Sequence, residues 1–268
     1  MRSRLRTLLT QPQRWMRFSL RAVMLAVAAI CVWLGIESSR ARTQTAAIAE
    51  IQRLGGRLAY DFQMDRQGRW IDNPRPSAPD WLVRAIGDDY FRRVAVVNFD
   101  EGSDPTDSDL AVLKDVPQLR VLTLMNRQQV TDSGLHFLSH QKQLQKLSLD
   151  GTSVEGHGLA YLRSPDAIEL LGISNSPFSD AGLKHIAQMS SLKVLIVRNT
   201  KITDNGLAYL ASLPALESLQ IDRTAVTDSG LRHLVNIKSL KKVLLDETQT
   251  TERGRADLRQ ALPGCKVE

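Results

Sequence analysis

Apolar residues recur along most of this chain in a short pattern, one residue followed by two more at the third and fifth positions after it. The triplets read Val94, Val97, Phe99; Leu119, Leu122, Leu124; Leu144, Leu147, Leu149; Ile168, Leu171, Ile173; Leu192, Leu195, Val197; Leu216, Leu219, Ile221; and Leu240, Val243, Leu245. Alternation at the last two positions of each triplet predicts a short strand with those side chains turned inward. A second pattern keeps step with the first. TDSGL at 131–135 returns as EGHGL at 155–159, SDAGL at 179–183, TDNGL at 203–207 and TDSGL at 227–231, every 24 residues. TDSDL at 106–110 precedes this series by 25 residues, and a degraded copy, TERGR at 251–255, follows at 24.

Each unit therefore reads strand, turn, helix. The Thr-Asp or Ser-Asp pair suits a helix start, because short oxygen side chains accept the unpaired N–H groups of the first turn and Asp complements the positive helix end. Leu135 and Leu138, Leu183 and Ile186, Leu207 and Leu210, and Leu231 and Leu234 stand three apart, facing the strand layer. Gly134, Gly158, Gly182, Gly206 and Gly230 are expected to let each helix start pack closely on the adjacent coil. Thr152, Ser176, Thr200, Thr224 and Thr248 fall three residues after the last strand position, where their hydroxyls are expected to bond the neighbouring turn's backbone. One such unit cannot bury its own apolar face, so stacking is obligatory.

These residues resemble the leucine-rich-repeat superfamily, in its 24-residue class reading L-x-x-L-x-L-x-x-T-x-I-T-D-x-G-L. The same pattern is found in the repeat part of F-box proteins and in bacterial membrane-anchored repeat proteins. The resemblance covers roughly residues 94–267. It implies an α/β solenoid with parallel strands on a concave face and helices on a convex face, and it implies protein binding without naming a partner. Two departures stand out: Glu155-Gly156 lose the helix-start pair, and Arg255 replaces a core leucine.

Ahead of the repeats, residues 18–36 form a 19-residue stretch interrupted only by Ser19 and Arg21. At about 1.5 Å per residue it reaches roughly 28 Å, close to the thickness of a bilayer's hydrocarbon. Arg2, Arg4, Arg6, Arg14 and Arg17 lie before it and only Arg40 and Arg42 shortly after. That asymmetry predicts a basic cytoplasmic tail at 1–17, an anchor at 18–36 and an exported C-terminal domain. A cleavable signal peptide is the alternative, with Ser39-Arg40-Ala41 as its cleavage site and a secreted product; the length of the run favours the anchor. Residues 43–93 break the period and are expected to cap the first coil before the repeat domain at 94–268. Here a helix is predicted from Ala46 to Leu54, stopped by Gly55-Gly56, then a strand from Arg57 to Met64 and a loop from Asp65 to Pro79. Trp81, Leu82, Ile86, Tyr90 and Phe91 are expected to cover the open end. IQRLGG at 51–56 and WLVRAIGDDYF at 81–91 also resemble the membrane-proximal part of bacterial anchored repeat proteins. Leu262, Cys265 and Val267 predict a last helix and strand as the C-terminal cap.

Charge changes the picture once it is divided. The formal net charge is +6, but residues 1–42 hold eight of the 35 basic side chains and one of the 29 acidic ones, leaving 27 basic against 28 acidic groups. A nearly neutral domain gives no electrostatic reason to expect nucleic acid as a partner. Cys31 lies in the apolar run and Cys265 near the C-terminus, so no intrachain disulfide is expected. The five histidines show no metal-ligand spacing, and His185 and His233 share a helix phase with Phe137, Tyr161 and Tyr209, read as a stacked row on the convex face. Phosphate loops, nucleophile elbows and paired-cysteine zinc patterns are missing, and Asp88-Asp89 read as a solvated or capping pair.

The expected function is thus a membrane-tethered protein-binding module with no cofactor, metal, small-molecule substrate or enzymatic activity. An intracellular adaptor similar to F-box repeat proteins and an enzyme subunit are the alternatives. Register places the binding surface: Val96, Val121, Lys146, Leu170, Val194, Ser218 and Lys242 in one outward column, and Asp100, Met125, Asp150, Ser174, Arg198, Asp222 and Asp246 in another. Asn98, Thr123, Ser148, Gly172, Ile196, Gln220 and Leu244 run between them. Val121, Met125, Leu170, Val194, Ile196 and Arg198 form the expected ligand-binding centre, with Asp150, Asp222 and Asp246 as a polar rim.

Overall fold

A computed structural model describes residues 20–65, 71–72, 74–75, 78–87, 90–99, 102 and 104–268. The chain divides into two compact units between Arg42 and Thr43. The arginines from Arg2 to Arg17, Phe18, Ser19, Asp88-Asp89 and Asp100 lie outside the described residues.

Helix α1 (Leu20–Arg53) runs 34 residues without a break. The separate short helix expected at Ala46 is its last two turns. Residues 37–45 contain neither Gly nor Pro, so nothing in them stops helix propagation. An i,i+3 ion pair between Glu37 and Arg40 at 3.0 Å sits in that stretch. The stop falls where expected, at Gly55 with φ of 81°. In the first unit the apolar side chains Val23, Met24, Leu25, Val27, Ile30, Val32, Trp33, Leu34 and Ile36 are all exposed. By length and composition this is a helix able to cross a membrane.

The second unit is built on a nine-stranded sheet whose strands follow one another in chain order. They are β1 (Gly56–Tyr60), β2 (Val94–Phe99), β3 (Val121–Thr123), β4 (Lys146–Ser148), β5 (Leu170–Gly172), β6 (Val194–Ile196), β7 (Ser218–Gln220), β8 (Lys242–Leu244) and β9 (Lys266–Val267). Strand β1 pairs antiparallel with β2 and every later pair is parallel. Leu122, Leu147, Leu171, Leu195, Leu219 and Val243 stand in one row across the pairs, so the sequence period is the structural register. All these and the second inward row, from Phe99 to Leu245, are buried. Burying a leucine contributes roughly 1.5–3 kcal/mol, but no unit can do so without a neighbour on each side.

The layer behind the sheet is helical, though not uniformly so. Helices α3 (Asp180–Ile186), α4 (Asp204–Leu207) and α5 (Asp228–Leu234) are α-helical, whereas Asp109–Asp115, Gly134–His140 and His157–Tyr161 form 3₁₀ turns. The α-helices follow an extended Ser179, Thr203 or Thr227, while Ser108 and Ser133 are already helical in φ and Gly156 is left-handed. The α-helices begin at the second residue of the five-residue motif and the 3₁₀ turns at the third or fourth. In both, the expected leucine and isoleucine pairs are buried.

The first coil is closed differently from the expectation. Ala47 and Ile51 of α1 are buried in the core, with Leu54, Leu58 and Tyr60 packed beside them. Trp81, at the start of α2 (Asp80–Ile86), is 69% exposed, and Leu82, Tyr90 and Phe91 are only partly buried. At the other end α6 (Glu252–Ala261) and β9 bury Leu258, Leu262, Cys265 and Val267. Burial pushes the Cys265 thiol pKa up, and both cysteines are free. Arg255, standing where a core leucine would, donates from Nη2 to the Leu245 carbonyl at 2.9 Å and from Nε to Thr250 Oγ1 at 3.0 Å.

Candidate binding surface

Two polar ladders hold the units in step, and both differ in detail from the sequence reading. At the starts of α4 and α5 the threonine is the cap: Thr203 and Thr227 accept from the N–H of Asn205 and Ser229 at 3.3 and 3.2 Å, whereas Ser179 before α3 makes no such bond. The aspartate beside it does not serve its own helix. Asp180 instead accepts from the Thr203 backbone N–H at 2.8 Å and hydroxyl at 2.6 Å, one unit further on. Asp204 does the same to Thr227, Asp228 to Thr251 and Asp107 to Thr131. Those bonds hold the Asp228 carboxyl below the usual aspartate pKa. The glycine column follows from the same ladder. A Cβ on Gly134, Gly206, Gly230 or Gly254 would lie inside contact distance of the preceding unit's carboxylate. The expected close approach holds, but at Gly158 the nearest atom is the Asp132 backbone carbonyl oxygen and at Gly182 it is the Phe178 ring.

The second column, Thr152, Ser176, Thr200, Thr224 and Thr248, bonds within its own unit rather than across to the neighbour. Each hydroxyl donates to the carbonyl three residues back, at 2.6–3.0 Å. That carbonyl ends the inward strand row, and a buried acceptor there requires a partner. Between the two positions the chain turns through left-handed residues: Asn126, Asn175, Asn199, Arg223 and Glu247 have φ of 52–58°, and Gly151 stands at 71°. Their N–H groups reach the next unit's carbonyl, as from Asn175 to Arg198 at 2.9 Å and from Asn199 to Asp222 at 2.8 Å. The asparagines in the sequence were the available signal for this turn.

On the solvent face of the sheet, Leu170, Val194 and Ile196 lie side by side on β5 and β6, each half-exposed, with Met125 at 46% exposure further along. Val96 does not belong to this surface, because β1 and the residues after it fold over that end. Val96 is buried with Ala59 and Ala95, against Met64 and Val121. The expected acidic rim is also corrected. Asp222 is buried, accepts from the Asp246 N–H at 3.2 Å and lies 3.0 Å from Arg198 Nε. Asp150, half-buried, accepts from the Ser174 N–H at 2.7 Å and the Ser148 hydroxyl at 2.5 Å. These aspartates turn inward along the sheet because unpaired amides lie there to receive them. Only Asp246 stays exposed. Arg198 remains exposed, and its pairing with Asp222 aims its guanidinium along the surface.

On the helix side, His136 takes Tyr161 edge-on with ring centroids 5.3 Å apart, a contact that joins a different position to the phase holding His185 and His233. Tyr161 and Tyr209 are exposed.

No protein-family model matches the chain, and no curated protein is similar to it in sequence. Solved structures are similar in fold. An internalin C2 from Listeria monocytogenes str. 4b F2365 aligns at 18% identity with a TM-score of 0.50, covering 68% of this chain and 82% of that one. An internalin (inlF) from the same strain aligns at 17% identity with a TM-score of 0.41, covering 65% of this chain and 60% of that one. The chain is an α/β leucine-rich-repeat solenoid preceded by one apolar helix.

Proposed function

We propose that this chain is a membrane-tethered, non-enzymatic module that binds a protein partner on the open face of its repeat sheet. The observation that carries the reading is the apolar strip Leu170, Val194 and Ile196, left half-exposed in the middle of a sheet whose other face is fully buried. Val121 and Met125 lie nearer the N-terminal cap, separated from the strip by Lys146 and Ser148 of β4, and Arg198 and Asp246 supply charge on the side of β7 and β8. An apolar centre with polar groups around it is how protein interfaces are commonly built. At about 4.8 Å between strands, the seven repeat strands extend roughly 30 Å, enough for an interface of ordinary size. Support for the tether comes from the exposed apolar residues of α1 between Val23 and Ile36. The arginine-rich segment before them favours an N-terminus inside the cell and the repeats outside.

Capture of membrane-fraction proteins by the full-length chain in detergent tests the surface. A partner bound by the unaltered chain is expected to be lost from the double variant Leu170→Asp with Ile196→Asp, while the thermal midpoint changes little. Undiminished capture by that variant would move the site to the helices or the N-terminal cap.

A further inference from the structure

The unit at 155–159 breaks the aspartate ladder, since Glu155 stands in place of the threonine that would meet Asp132. Asp132 takes three backbone N–H groups instead: Gly158 at 2.7 Å and Gly156 at 3.1 Å on Oδ1, and Glu155 at 3.1 Å on Oδ2. The same departure brings the side chains of Glu155 and His157 to this carboxylate. One donor atom from each of Asp132, Glu155 and His157 lies within 4.8 Å of the other two. Among the described residues, neither the Glu155 carboxylate nor the His157 imidazole makes a hydrogen bond or ion pair. Both are exposed, whereas Asp132 is half-buried and held by its amides. Sequence spacing alone concealed the group, because its members come from two successive units.

We propose that Asp132, Glu155 and His157 bind a divalent transition-metal ion, zinc being the best match, between two neighbouring units. The imidazole argues against calcium and magnesium, which take oxygen ligands. Carboxylate oxygen and imidazole nitrogen both bind zinc at about 2.0–2.2 Å, so three ligands around one ion stand roughly 3–4 Å apart. A small inward movement of two free, exposed side chains closes the present spacing. The amides on Asp132 orient the first ligand as outer-shell bonds do at metal sites. The ion replaces the missing hydroxyl link, joining adjacent units where Glu155-Gly156 stand in place of the ladder's Thr-Asp pair.

Calorimetric titration of the full-length chain in detergent with zinc chloride tests this. One saturable site is expected, weakened at least tenfold by His157→Ala and by Glu155→Gln, and unchanged by His185→Ala. Zinc should raise the thermal midpoint of the unaltered chain and not that of His157→Ala, while the two chains melt alike without metal. Calcium chloride should give no saturable heat. Failure of zinc to bind, or equal binding by the His157→Ala chain, overturns the assignment.

Discussion

At the scale of single residues, the backbone amides of each turn decide where polar side chains go. Threonine, serine and aspartate were recognisable as turn and helix-start residues from their chemistry, and the threonines do cap. What the chain order could not show was which unit each aspartate would serve. An aspartate oxygen is equally able to accept from its own helix or from a neighbour about one strand spacing away, and only stacking brings the neighbour's amide and hydroxyl to it together. The glycine column records this choice. Gly206→Ala sets a methyl group against the Asp180 carboxylate and is expected to destabilise the chain by about 1–3 kcal/mol. Gly264→Ala, with open space around the new Cβ, should leave the denaturation midpoint nearly unchanged. Equal shifts for the two would show that the ladder yields without cost. Asp222 leaves the expected rim for a related reason, being buried: register tells which face a strand residue occupies, but not that a short acid will bend back to an unpaired amide.

At the scale of elements, the triplets carried nearly all of the strand layer, because inward alternation and stacking impose the same period on sequence and structure. The helix layer was less determined. Its segments are mostly four to seven residues in the repeats, too short for propensity to choose between α and 3₁₀ turns. The N-terminal cap differs from expectation because α1 continues through the largely polar residues 37–45 and supplies Ala47 and Ile51 to the core where aromatic residues are expected. Stack cohesion is tested at its centre. Leu195→Ala should cost about 2–5 kcal/mol, as a fully buried leucine with a neighbour on each side. Lys193→Ala removes an exposed 2.8 Å pair with Glu169 and should cost under about 1 kcal/mol. Chemical denaturation of both variants distinguishes them.

At the scale of the whole molecule, the proposed topology makes a separate prediction. Protease added to intact cells should digest the repeats, and carbonate washing should leave the chain in the membrane fraction. Repeats protected from protease, or released by carbonate, would argue for an internal or secreted protein instead. The N-terminal helix was evident from composition, but its continuity to Arg53 was not, because two separately plausible helices leave no mark of having fused. The far end has a further consequence. A stack that adds one strand at a time has no inherent length, and its last open edge is a template on which another copy could continue the ladder. Here that edge is β9, only two residues long, where Lys266 and Glu268 pair with each other and Glu268 also reaches Lys242 at 3.5 Å. So brief an edge, with Lys266 in it and Glu268 beside it, offers an incoming strand few rungs and requires it to strip water from ions, which disfavours edge-to-edge pairing there.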